Sequence, residues 1–167
     1  MSGKSKANFD KINFMKNVFL SVLLIFAWGG AFSQSVASGS QYHNLDNGVA
    51  IKGYDPVAYF SVNKAQKGKK DISFPWHGAT YYFSSSADRE TFRSSPEKYE
   101  PQYGGWCAYA MGHDGSKVEI DPETFKIVNG KLFLFYNRFF TNTLKSWNQD
   151  ETNLHNLADA NWQKLIH

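Results

Sequence analysis

Residues 124–136, TFKIVNGKLFLFY, constrain the fold more than any other stretch of this chain. Asn129-Gly130 is the preferred pair for the two central positions of a type I′ turn, whose twist matches that of paired strands. A two-residue loop fixes the register. It pairs Ile127 with Leu132 and Phe125 with Leu134, which gives one apolar face. Phe133 and Phe135 then point to the other side, so both faces of the ribbon need cover.

A second hairpin is expected over residues 72–85, ISFPWHGATYYFSS. Two β-rich runs flank a tight connection at His77 and Gly78, and Pro75 confines the first run to a sheet edge. Before it, Val49 and Ile51 suggest a short strand. GYDP, Gly53 to Pro56, then forces a turn, because the residue before proline avoids the helical region. VAYF, from Val57, opens a short helix or a further strand. Ser85 is the expected N-cap of a helix, with Asp88 three residues on. Ser95 and Pro96 repeat the logic, with proline at the first helical position. WCAYAM is expected to form one or two helical turns ended by Gly112. TLKSWNQD gives a shorter helix. Leu154, Leu157, Ala158, Trp162 and Leu165 then follow one stripe at helical spacing. The order predicts an α+β fold: a small antiparallel sheet with two hairpins, packed by several short helices and a C-terminal helix.

The chain has 167 residues, enough for one domain. Its 17% aromatic content lets a domain of this size bury a solid core. The formal charge of +3 is slight. Lys64, Lys67, Lys69 and Lys70 read as a solvated loop, since no basic helix or stripe accompanies them. Nucleic acid is therefore not an expected partner.

Lys11 and Lys16 precede the apolar run VFLSVLLIFAW, and GGAFSQS follows with Ala31 and Ser33 at the small-residue positions. This is the order of a secretory signal peptide over residues 1–33, cut near Ser33. Met15 is an alternative start, because MKNVFLSVLLIF is already a complete signal. The run is short for a membrane span, although a retained anchor is the rival reading. Residues 34–47 read as a flexible leader, and 48–167 as a single domain. The expected location is periplasmic or secreted, with no stable span after cleavage.

Three stretches resemble one family. GYDPVAYF, GATYYFSSSADRETFRSSPEKYEPQYGGWCAYAM and DPETFKIVNGKLFLFYN together look like a YHS-domain protein, over roughly residues 50–162. The resemblance implies a small domain associated with heavy-metal handling. The metal-associated form carries DPVCGM and YYFCS, whereas this chain has Ala58 and Ser84 at those cysteine positions. It is similar instead to an exported branch with GGxCAYA, so the metal role does not transfer through those two positions.

Export implies a compartment that permits disulfides, yet Cys107 is the only cysteine. It is an inert buried thiol, an intermolecular partner, a reactive thiol or a metal ligand. Cys107, Met111 and His113 offer thiolate, thioether and imidazole within one loop. Such soft donors suit copper. His77 is the candidate fourth ligand, and His43 a poorer one. The sequence-level expectation is an exported domain that binds a soft transition metal, copper preferred, in trafficking or resistance, with an exported or membrane protein as partner. The alternative is a non-catalytic small-ligand or protein-binding module in which Cys107 is a buried structural residue and aromatics line a pocket. A nucleophilic Cys107 with His77 or His113 as base is the enzymatic reading. No protease or transferase signature supports it, and the balance leans away from an enzyme. Asp55, Asp121 and Asp159 are expected to hydrogen-bond turns or tryptophan indoles.

Overall fold

The computed structural model describes residues 40–167. The basic and apolar run, the exit at Ala31 and Ser33, the alternative start at Met15 and residues 34–39 of the leader lie outside the described residues. Val36–His167 forms one compact unit, and both hydrophobic cores are built from described residues within it. That segment therefore carries what it needs to fold on its own.

The fold is α+β. In chain order its elements are β1 (Leu45–Asp46), β2 (Val49–Ala50), α1 (Ala58–Ser61), β3 (Lys69–Trp76), β4 (Ala79–Phe83), α2 (Ser86–Ser94) and α3 (Pro96–Tyr99). Then follow α4 (Ala108–His113), β5 (Asp121–Val128), β6 (Lys131–Phe135), β7 (Asn137–Arg138), β8 (Thr141–Asn142), α5 (Thr143–Gln149) and α6 (Glu151–Ile166). Short 3₁₀ turns lie at Ser40–Tyr42, Ile51–Gly53 and Gln102–Gly105.

The β5–β6 ribbon has the expected register, with Phe125 opposite Leu134 and Ile127 opposite Leu132. Both of its faces are covered. Leu132 and Leu134 enter one core with Tyr59, Tyr81, Phe83, Phe92 and Cys107. Phe133 and Phe135 enter the other with Met111, Trp147, Leu154 and Ala158. The ribbon is thus the wall between two cores, and each large side chain buried there contributes ~1.5–3 kcal/mol. Phe92 of α2 anchors the first core, with its ring centroid 4.8 Å from Tyr81 and 5.3 Å from Phe83.

The first sheet has the order β1-β2-β4-β3, which leaves β3 and its Pro75 at an edge. It is mixed rather than purely antiparallel. β2 enters beside β4 in the parallel sense, Val49 opposite Thr80, and Thr80 N donates to the Gly48 carbonyl at 2.9 Å. Ser85 caps α2 as expected, its hydroxyl accepting from Asp88 N. Ser95 precedes α3 but makes no side-chain cap, and its hydroxyl donates to the Ser94 carbonyl instead.

The GYDP turn is fastened from within. Asp55 is fully buried. Its Oδ1 accepts from Val57 N at 2.9 Å and its Oδ2 from Ser84 N at 2.7 Å. One carboxylate thereby joins the start of α1 to the end of β4. Burial pushes its pKa up, against the pull of the Ser84 and Val57 N–H groups.

Residues 40–47 depart from the expected flexible leader. Asn44 N donates to the Gly104 carbonyl at 2.8 Å, Asn44 Nδ2 to the Gly105 carbonyl at 3.2 Å, and Trp106 Nε1 to the Tyr42 carbonyl at 2.7 Å. Leu45 and Asp46 pair with β2. A Ser/Gly-rich approach hid the fact that this strap's partners lie some sixty residues downstream.

Candidate functional site

The four residues expected to hold a metal fall in three places. Cys107 is fully buried in the first core and Met111 fully buried in the second. Cys107 and Met111, four residues apart, do not share a helical face. Cys107 is the N-cap of α4, with ψ at 116°, so its side chain leaves the chain before the helical spacing begins. His113 is the last residue of α4 rather than one beyond it. Its side chain is exposed and stacks on Tyr109 at 5.5 Å. Cys107 and His113 do line one groove of about 200 Å³, together with Tyr136 and Thr143. His77 sits at the β3–β4 turn against Glu100, with Nδ1 3.4 Å from Oε1.

The Cys107 sulfur is committed to the fold. Tyr136 N donates to Sγ at 3.4 Å. The Thr143 hydroxyl lies 3.4 Å from Sγ and donates to the Tyr136 carbonyl at 2.9 Å. With that proton spent, the thiol is the donor in the Cys107–Thr143 contact. No imidazole among the described residues hydrogen-bonds this sulfur. Among those residues no three His, Cys, Asp or Glu form a group able to hold a metal ion.

A larger pocket, about 450 Å³, opens on the far side of the PQYGGW motif. Its wall follows from local sequence. Pro96 starts α3 and Glu100 ends it in an extended conformation, which turns the chain into Gln102–Gly105. Tyr103, Gly104 and Gly105 then take positive φ in succession. Only glycine fits at 104, because a Cβ there would lie 2.6 Å from the Tyr42 carbonyl and 3.0 Å from Trp162. The strap at Tyr42 and His43 closes on this turn, and α6 supplies Asp159, Trp162 and Gln163 from the other side. Tyr42 meets Trp162 edge-on at 6.5 Å.

The pocket is charged. Glu97, Glu100 and Asp159 line it against a single ammonium, Lys131. His43 does not add a second cation at neutral pH. Burial holds its pKa below the ordinary histidine value, outweighing the opposing pull of Glu100. Its Nδ1 is buried without a hydrogen-bond partner. The tautomer with the proton on Nε2 leaves Nδ1 a bare acceptor, the less costly choice. A metal on Nε2 would force that proton to Nδ1, where nothing accepts it. Ligating histidines ordinarily have such an acceptor. His43 and His77 both approach Glu100 Oε1, at 3.7 and 3.4 Å, as imidazole–carboxylate contacts. Glu100 is held from behind by Trp76, whose Nε1 donates to Oε2 at 3.0 Å. Asp159 accepts from the Tyr103 hydroxyl at 2.9 Å. Burial and that bond push the Tyr103 phenol up, so it remains a donor.

Sequence reasoning missed Glu97, Glu100, Lys131 and Trp162 as pocket residues, and assigned Asp159 to a turn or an indole. One signal was present: Asp159 and Gln163 are four apart and flank the apolar stripe beside Trp162. The other two aspartates behave as expected, Asp121 accepting from Glu123 N at 3.1 Å within its turn. No helix among the described residues is long and apolar enough to cross a membrane. Comparison of the chain with protein-family models, curated proteins and solved structures finds no match.

Proposed function

We propose that this chain is an exported, non-catalytic binding domain of the YHS type. Cys107 is a packed structural residue, and the ligand is a small organic cation such as a primary amine. The observation that carries this reading is the charge of the 450 Å³ pocket, three carboxylates against one ammonium. Its size is that of a small-molecule site. A protonated amine entering it meets Glu97 and Asp159 as charge-assisted acceptors and the Trp162 ring as a cation–π surface. Lys131 leaves room for one negative group on the same ligand.

The test is a thermal-shift and calorimetric panel of small amines, quaternary ammonium ions and carboxylic acids. Amines are expected to raise the melting temperature and the acids to leave it unchanged. Glu97→Gln with Asp159→Asn is expected to weaken amine binding several-fold, since each exposed carboxylate contributes ~0.2–1 kcal/mol to such a charge pair. An acid that stabilises the protein while amines do not would sink the reading.

One observation favours a second reading, soft-metal binding: Cys107 and His113 share a groove. Cu(I) titration against a competing chelator separates the two. Under the amine reading no one-to-one copper binding rises above the chelator background. Stoichiometric binding lost in Cys107→Ser would restore copper trafficking as the function.

A further inference from the structure

The β7–β8 hairpin ends in two phenylalanines where a turn ordinarily carries Asn-Gly. Asn137 pairs with Asn142 and Arg138 with Thr141, so Phe139 and Phe140 are the two residues of the turn. Both have positive φ, 51° and 67°. This is the left-handed conformation that bulky side chains avoid. Their exposures are 86% and 112%, so neither ring is buried by the rest of the domain. The chain thus accepts backbone strain in order to display two aromatic rings, and strain of this kind concentrates where function requires it.

From this arrangement we infer that the Phe139–Phe140 tip inserts into the interface of an anionic lipid bilayer and holds the domain at a membrane surface. The shape is convex, a projecting hairpin end, and a bilayer accepts a projection without a matching pocket. The charge agrees. Arg138 and Lys145, on the two sides of the tip in sequence, pair with no carboxylate among the described residues, whereas Lys126 pairs with Glu151 and Lys131 lines the acidic pocket. Arg138 adjoins the tip and is exposed. Aromatic insertion beside basic residues is the chemistry of attachment to anionic lipid.

The test uses segment Val36–His167, which omits the apolar run near the N-terminus, in sedimentation with phosphatidylglycerol-containing and purely phosphatidylcholine vesicles. Phe139→Asn/Phe140→Gly is the decisive variant. It installs the preferred type I′ pair, so its melting temperature should equal or exceed that of the unaltered segment. The expected result is binding to the anionic vesicles that falls at least tenfold in the variant and is weak on the neutral ones. Three results would overturn the inference. These are no binding by the unaltered segment, equal binding by the variant, or a Phe-dependent dimer in analytical ultracentrifugation with no lipid affinity, which would make the partner a second copy.

Discussion

Asp55→Ala is expected to remove about 4 kcal/mol of stability, because it strands two backbone N–H groups, each costing ~1–3 kcal/mol once its acceptor is gone. Val57 N and Ser84 N are the two donors, and Asp55 is fully buried beside them. A loss of that size is a large share of the ~5–15 kcal/mol that holds an ordinary domain together. Asp55→Asn gives the control. Its amide oxygen serves one donor, but its NH₂ group faces the other donor and cannot accept. It should cost roughly half as much. Denaturant midpoints of the two variants measure the difference. Equal losses would show that the carboxylate does not act as a double acceptor fastening the GYDP turn.

Gly112→Ala is the second large effect. Gly112 is inside α4, where alanine would ordinarily gain ~1 kcal/mol over glycine. Here the new Cβ would clash with the Leu154 carbonyl oxygen and lie 3.1 Å from its carbon, both backbone atoms of α6. Neither atom can swing aside as a side chain does. The helices must separate, which loosens the second core around Met111, Trp147 and Ala158. The expected net cost is about 2–3 kcal/mol, in the range of core overpacking. A denaturant midpoint equal to that of the unaltered protein would mean the α4–α6 approach is less close than described.

What the sequence made legible was local, and what it hid was long-range. Asn129-Gly130 and the alternation around it determine a register within thirteen residues, and the pairing follows from that information alone. Ser85 and Pro96 likewise act on helices that begin beside them. Cys107, Met111 and His113 invited a shared site because they are close in sequence. Whether neighbours share a face depends on where the helix starts, and it starts after Cys107. The pocket could not be read because its wall joins His43, Glu100 and Asp159, whose proximity rests on the strap and on the left-handed run at Tyr103–Gly105. Nor did hydrophobic pattern single out Phe139 and Phe140, since exposed and buried phenylalanines look alike until the turn is placed.

The strap has a consequence for how the domain can be assembled and cut. His43 comes from the start of the described residues and Asp159 and Trp162 from the last helix; all three line the pocket, and Tyr42 meets Trp162 beside it. A chain emerging from its N-terminus holds one half of that wall for the whole of synthesis or translocation before the other half arrives. The pocket is consequently a mark of completion, absent from every fragment that stops short of α6. A protease that trims past His43 would leave the residues of both cores in place and still remove one side of the pocket wall.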